Sequence, residues 1–225
     1  MTGERMKSVF AALFDHFGAQ NWWPGDSPFE IAVGAILTQN TNWQNVARAI
    51  ENLKKAKMLQ VHAIDRMPIV ELAELIRPAG YFRLKAKRLK NFVHWLLERF
   101  GGSMDAMTAC SLSTLREELL SINGIGPETA DSILLYAAAK PTFVVDAYTH
   151  RIAVRHGWIE PDVGYDGLKE HFESHLPDDV PMLNEMHALL VQVGKNYCRP
   201  REARCEQCPL KRMLPEGGPI EPDGS

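Results

Sequence analysis

Residues 119–136 read Leu119-Leu120-Ser121-Ile122-Asn123-Gly124-Ile125-Gly126-Pro127-Glu128-Thr129-Ala130-Asp131-Ser132-Ile133-Leu134-Leu135-Tyr136. One helix ends near Ser121. Gly124 and Gly126 supply the backbone freedom of a tight turn, and Pro127 sits at a first helical position, where its missing N–H is no loss. The stretch is a helix-hairpin-helix. Such a hairpin aims the first N–H groups of its second helix outward, forming a small anion site suited to one backbone phosphate with no base reading. A plain turn between packed helices is the competing reading of a bare Gly-x-Gly. The flanking helices, Pro127 and Thr129-Ala130 tilt the balance toward the phosphate site.

On either side of the hairpin the chain keeps helical periodicity. Apolar residues recur at helical spacing over 4–18, 28–39, 42–57, 69–77, 84–100, 112–121, 127–139, 147–156, 166–175 and 183–196, mostly bounded by Gly, Pro or Asn. No stretch alternates well enough to be a strand. The β-branched run from Thr142 to Val145 reads as an extended connection. Helices of this length on short loops imply an all-α fold. The tail 215–225, with its Pro, Gly and acidic residues, reads as a flexible or loosely attached end.

The chain has 225 residues, enough to bury a core without disulfides. Its 45% hydrophobic and 24% charged residues exclude disordered and fibrous classes. Apolar runs such as 29–37 are too short for a bilayer, and no basic-then-apolar leader opens the sequence, so a cytoplasmic monomer with no membrane partner is expected. The net charge of -3 argues weakly against nucleic acid. The distribution reverses that argument. Between Arg77 and Arg99, seven basic residues face the single acid Glu98, whereas between Trp158 and Met186 eight acids face Lys169 alone. The basic stretch, with Lys85, Lys87 and Arg88 at its centre, and a second cluster from Lys195 to Arg212 suit a phosphate backbone; either could also be a solvated face. The acidic stretch is expected to point away from the polyanion.

Some 20 residues past the hairpin comes Pro141-Thr142-Phe143-Val144-Val145-Asp146-Ala147-Tyr148-Thr149-His150-Arg151. Asp146 is placed to cap a helix. A carboxylate held partly out of water there can also direct a water molecule and stabilise the cationic sugar of glycosidic cleavage. The two roles are compatible.

Gly124-Ile125-Gly126-x-x-Thr129-Ala130 followed by Val144-Val145-Asp146 and Arg151 resembles the signature of the endonuclease III superfamily of base-excision DNA glycosylases. Ala35-Ile36-Leu37-Thr38-Gln39-Asn40-Thr41 looks like that family's early helix and DNA-wedging loop, and Cys198-x6-Cys205-x2-Cys208-Pro209-Leu210 like its iron–sulfur loop. The resemblance implies two helical lobes with DNA between them. One spans 26–138 and carries the hairpin at 119–138; the other is made of 1–25 and 139–214. It further implies catalysis by Asp146, phosphate contact through Gly124, Gly126 and Thr129, wedging by Gln39 or Asn40, and a monovalent cation at the hairpin.

Two departures refine this. In bifunctional members a Lys after the hairpin glycines forms a Schiff base with the sugar; here that position holds Glu128. A carboxylate cannot do that chemistry, so no lyase activity is expected and water becomes the nucleophile. The acid has a structural role available too, since a helix N-terminus favours it. The second departure concerns the metal. A four-iron cluster needs four thiolates, and the fourth family position is Leu214, leaving Cys198, Cys205 and Cys208. A cluster with another fourth ligand, a zinc site completed elsewhere, and a loop without metal remain open; the expectation favoured is a 4Fe-4S cluster.

Asn21-Trp22-Trp23-Pro24 places two tryptophans just before the central lobe, Trp43 follows the Gln39 loop, and Tyr148 lies two residues past Asp146. These four are candidates for an aromatic base pocket, with core packing as the alternative. A base alkylated on a ring nitrogen is cationic, stacks well on indole and leaves easily. The Trp-Trp-Pro element, Thr38-Gln39-Asn40-Thr41 and Gly-Ile-Gly-x-Glu-Thr-Ala-Asp also look like the 3-methyladenine DNA glycosylase III branch. The expectation is therefore a monofunctional glycosylase acting on a flipped alkylated purine in damaged double-stranded DNA. A pyrimidine- or mismatch-specific glycosylase and a noncatalytic hairpin protein are the alternatives.

Overall fold

The computed structural model describes residues 2–221, which fold into two compact units. One comprises Met1–Trp22 with Pro141–Ser225, the other Trp23–Lys140. Among the described residues there are helices and turns but no strand. The helices are α1 (Gly3–Phe17), α2 (Pro28–Thr38), α3 (Trp43–Lys55), α4 (Val61–Arg66), α5 (Ile69–Leu75), α6 (Phe82–Phe100), α7 (Met104–Thr108), α8 (Leu112–Ser121), α9 (Pro127–Ser132), α10 (Ala147–Arg155), α11 (Tyr165–Glu173) and α12 (Val180–Asn196). All ten periodic segments are helices. α4 and α7 escape the periodicity because each is at most six residues long and buries one side chain, Ile64 or Met107.

Polar side chains start many of these helices where short-range chemistry predicts. Ser27 accepts the Glu30 N–H ahead of Pro28, Asn42 accepts that of Asn45, Ser111 that of Thr114, and Asp179 that of Met182. Because α2 is apolar on nearly every side, with residues 29–37 buried except Ile31, it runs through the interior of the 23–140 unit. Around it lie Val46, Ile50 and Leu53 of α3, Leu89, Phe92 and Leu96 of α6, and Ile133 and Leu134 after α9. The loop that leaves α2 at Gln39 is therefore anchored at a buried helix end.

In the other unit α12 is the axis, packing on α10 and α1. Leu183, Met186, Leu189, Leu190 and Val193 of α12 are buried, as are Val9 and Leu13 of α1 and Ile152 of α10. Thr142, Phe143, Val144 and Val145 form the extended buried connection into α10. The tail is better attached than its composition suggests. The Ile220 N–H donates to the Arg155 carbonyl (3.0 Å), and the Arg155 guanidinium pairs with Glu221 (2.9 Å). Residues 222–225 of the expected tail lie outside the described residues. No helix among the described residues is long and apolar enough to cross a membrane.

Candidate active site

Asp146 is the N-cap of α10. Its Oδ1 accepts both the Thr149 N–H (2.8 Å) and the Thr149 hydroxyl (2.9 Å), so one neighbour supplies the cap. Oδ2 faces Nε2 of His187 on α12 at 3.7 Å. Burial pushes the Asp146 carboxyl up, but the imidazole of His187 and the two Thr149 donors outweigh it and hold the group below the ordinary carboxylate value. The side chain is mostly covered, at 15% exposure, yet stays ionised. That combination lets it stabilise a neighbouring cation without being neutralised by its own burial.

Tyr148 packs its ring on α12 at Gly194, where a Cβ would lie 2.3 Å from Tyr148 Cδ1. The Arg151 guanidinium lies 5.3 Å from the Tyr148 ring centroid. Trp22 stands edge-on to His187 with centroids 6.3 Å apart, and the Lys195 ammonium lies 5.4 Å from the Trp22 ring centroid. An indole of this unit thus already receives a cation.

The 23–140 unit holds the hairpin and the other two tryptophans. Gly124 turns with φ +95°, and a Cβ there would overlap Arg88 Cγ at 2.3 Å. Gly126 is exposed with open space around it, ahead of Pro127 and α9. The hairpin is clamped by Arg116 of α8, whose Nε and Nη2 reach the two oxygens of fully buried Asp131 at 2.9 and 3.2 Å. After α9 the helix widens over Ile133–Ala137, with the Ala138 N–H donating five residues back to Ile133. On that turn Tyr136 stacks against Trp23 (4.7 Å, 14°), while Trp43 meets Trp23 edge-on at 5.3 Å. The sequence reading missed Tyr136 because it lies on the apolar face of a core helix. His187 was missed although it is a lone polar side chain on the buried face of α12, which is a usable signal.

Gln39, expected in the wedge, is committed to the hairpin. Its Nε2 donates to the Gly124 carbonyl (3.0 Å) and Thr129 Oγ1 (2.9 Å), and its Oε1 accepts from Arg88. Asn40, exposed with φ +52°, is the side chain of that loop presented to solvent. The Ile122 and Gly124 carbonyls already accept from the Ile125 N–H and from Gln39, so a cation at the hairpin would share them.

Lys85 requires a correction. It is not a solvent-facing phosphate contact but is 1% exposed, donating to the carbonyls of Leu37 (2.8 Å) and Ala79 (2.7 Å). The end of a buried helix leaves carbonyls that need a donor, and Lys85 supplies it. Burial and the nearby Arg88 charge lower its pKa to about 8. Lys87 stays exposed, and Arg88 is half-buried at the hairpin.

The cysteine loop gathers the three expected thiols. Cys198, Cys205, Cys208 and Leu214 line one small cavity with Arg155, His156 and Tyr197, so an aliphatic side chain occupies the fourth ligand's place. Cys110 belongs to the other unit. Burial raises the Cys208 thiol to about 11 and also pushes Cys205 up. Among the described residues no three His, Cys, Asp or Glu side chains converge as a metal-ion site. The residues present supply three thiols and no fourth thiolate, as the spacing of the resemblance implies. The loop is instead tied to α10 by Arg151 Nε on the Cys198 carbonyl (2.7 Å) and by Arg155, which donates to the carbonyls of Arg199 (2.6 Å) and Pro200 (3.1 Å).

Comparison with known proteins places this arrangement. The family described as "HhH-GPD superfamily base excision DNA repair protein" matches residues 33–178, which include the hairpin and Asp146. The Methanocaldococcus jannaschii protein named "Putative DNA repair glycosylase MJ1434" is 49% identical over 211 residues, 93% of this chain and 96% of that one. The crystal structure of H. pylori 3-methyladenine DNA glycosylase (MagIII) bound to 1,N6-ethenoadenine superposes with a TM-score of 0.75 at 30% identity, covering 87% of this chain and 98% of its own. A non-covalent endonuclease III–DNA complex has a TM-score of 0.80 at 22% identity, over 96% of this chain and 97% of its own, a likeness of fold. The chain belongs to the HhH-GPD superfamily of base excision DNA repair proteins.

Proposed function

We propose that the protein is a monofunctional DNA glycosylase that hydrolyses the N-glycosidic bond of a flipped alkylated purine of the 3-methyladenine kind in double-stranded DNA. The observation that carries this reading is the largely buried Asp146 at the head of α10, whose carboxyl is held below its ordinary value, with Oδ1 committed to Thr149 and Oδ2 facing His187. As the bond from sugar to base breaks, positive charge develops at the anomeric carbon. Asp146 stabilises that charge and directs a water to it, leaving an abasic site and the free base.

The alkylated base carries its own positive charge, so its departure needs no strong general acid. The Trp23–Trp43 pair with Tyr136 beneath it offers an aromatic surface for such a base, whereas the Trp22 ring already faces the Lys195 ammonium, and Tyr148 borders Asp146 in sequence. The hairpin, open at Gly126 and braced at Gly124 and Thr129 by Gln39, receives a phosphate, Lys87 and Arg88 add charge, and Asn40, the exposed residue of the neighbouring loop, fills the gap left by the flipped nucleotide. Because Glu128 replaces the Schiff-base lysine, the strand is not cut. The 30% identity to the H. pylori 3-methyladenine DNA glycosylase supports the choice of base.

The test is a panel of duplexes bearing 3-methyladenine, uracil, thymine glycol or a G·T mismatch, scored with and without alkali. Release of 3-methyladenine with strand scission only after alkali is expected. Scission without alkali would establish lyase activity, excision only from the pyrimidine duplexes would establish a pyrimidine or mismatch enzyme, and no release from any duplex would leave a noncatalytic DNA binder.

A further inference from the structure

The two oxygens of Asp146 are held by different elements. Thr149, within α10, supplies both donors to Oδ1, and that grip alone would cap the helix. Across from Oδ2 stands His187 of α12, its Nε2 at 3.7 Å and its side chain 5% exposed. The imidazole is bordered edge-on by Trp22 at 6.3 Å and by Phe143 at 6.2 Å and 85°. These two rings pack against the imidazole, with Nε2 3.7 Å from the carboxylate oxygen.

Desolvation favours the neutral form of a covered carboxyl, and neutral donors on one oxygen do little to fix the direction of the other. An imidazole N–H directed at Oδ2 does both tasks: it favours the anion and sets the plane of the carboxylate. We propose that His187 is a positioning residue for glycosidic bond cleavage, holding Oδ2 of Asp146 through Nε2 at the angle from which that oxygen meets the sugar cation and the incoming water. His187 touches neither base nor sugar, and no proton leaves it during the reaction. It acts through Asp146, so this proposal rests on the reading of Asp146 as the catalytic carboxylate.

A buried imidazole between Trp22 and Phe143 has packing alone as its competing role, and two variants separate the two. His187→Leu keeps an apolar side chain in the site and removes the donor; His187→Gln keeps an N–H of similar reach. In single-turnover excision of 3-methyladenine, His187→Leu is expected to lose roughly 10- to 100-fold in rate, the worth of one hydrogen bond to a charged group. Its Kd for duplex containing an abasic-site analogue should stay within about twofold of wild type, and His187→Gln should recover most of the rate. Equal losses in both variants with weakened binding and a lowered Tm would assign His187 to packing and overturn the proposal. So would a His187→Leu rate within about twofold of wild type. Asp146→Asn run alongside distinguishes the failures. If that variant turns over normally the catalytic reading itself falls, whereas its inactivity beside a normal His187→Leu refutes only the role of His187.

Discussion

The hydroxyl and the N–H of Thr149 converge on a single oxygen of Asp146, at 2.9 and 2.8 Å. The contact that caps the helix thus also helps, after His187, to hold the covered carboxyl below its ordinary value. Thr149→Val retains the N–H and the shape but removes the hydroxyl, one of the groups that lower the Asp146 carboxyl. The folded-state carboxyl should then titrate at higher pH, and the active anion should be lost earlier on acidification. The acid limb of the single-turnover rate profile should move up in Thr149→Val and stay near wild type in Thr149→Ser. Coincident profiles for all three proteins would refute this role for the hydroxyl.

The hairpin depends on a buried ion pair. Arg116→Met takes the bidentate partner from Asp131, a residue with no exposed surface, and should destabilise the protein by roughly 3 kcal/mol. Denaturant melts read this directly. A change of well under 1 kcal/mol would show that Asp131 is held adequately by its other neighbours.

Lys85 gives a pH-dependent stability of predictable sign. Its pKa falls from 10.5 in the open chain to about 8 in the fold. Between these values the unfolded chain binds the extra proton, so this group makes the native state more stable as pH rises from about 8 toward 10.5. Its two hydrogen bonds survive deprotonation, because a neutral amine still donates. Lys85→Met should lower Tm at neutral pH, and the gap from wild type should widen toward pH 10. A gap that narrows would contradict the burial argument.

The cysteine loop permits a gain-of-function check. Leu214→Cys completes four thiols around the cavity that already contains Cys198, Cys205 and Cys208. After anaerobic reconstitution with iron and sulfide, this variant should show the broad visible absorption of an iron–sulfur cluster and bind about four irons, far more stably than wild type. Equal cluster retention by both proteins would show that the three thiols suffice.

The sequence was most informative where local chemistry repeats. Helix periods, caps such as Ser27 and Asn42, and the Gly124–Pro127 turn are written within a few residues, and the helices appear where those signals lie. Spacing could not distinguish a cation that faces solvent from one that folds inward to satisfy carbonyls. Lys85 lies between Arg83 and Lys87 in a run of basic residues, yet its burial is decided by the distant ends at Leu37 and Ala79. His187 and Tyr136 were hidden for the opposite reason: each meets its partner, Asp146 or Trp23, across a long stretch of chain. The attachment of Ile220 and Glu221 to Arg155 is of the same kind, a tertiary contact that a Pro- and Gly-rich composition does not announce.

In the proposed reaction the Asp146 carboxylate carries the cleavage of the glycosidic bond, and Asp146→Asn isolates that role. The amide keeps the size and leaves an oxygen to cap α10, but removes the charge. In single-turnover assays on 3-methyladenine duplex this variant should lose at least roughly 100-fold in excision rate while binding abasic-site duplex about as tightly as wild type. Excision by Asp146→Asn at the wild-type rate would show that this carboxylate does not carry the reaction.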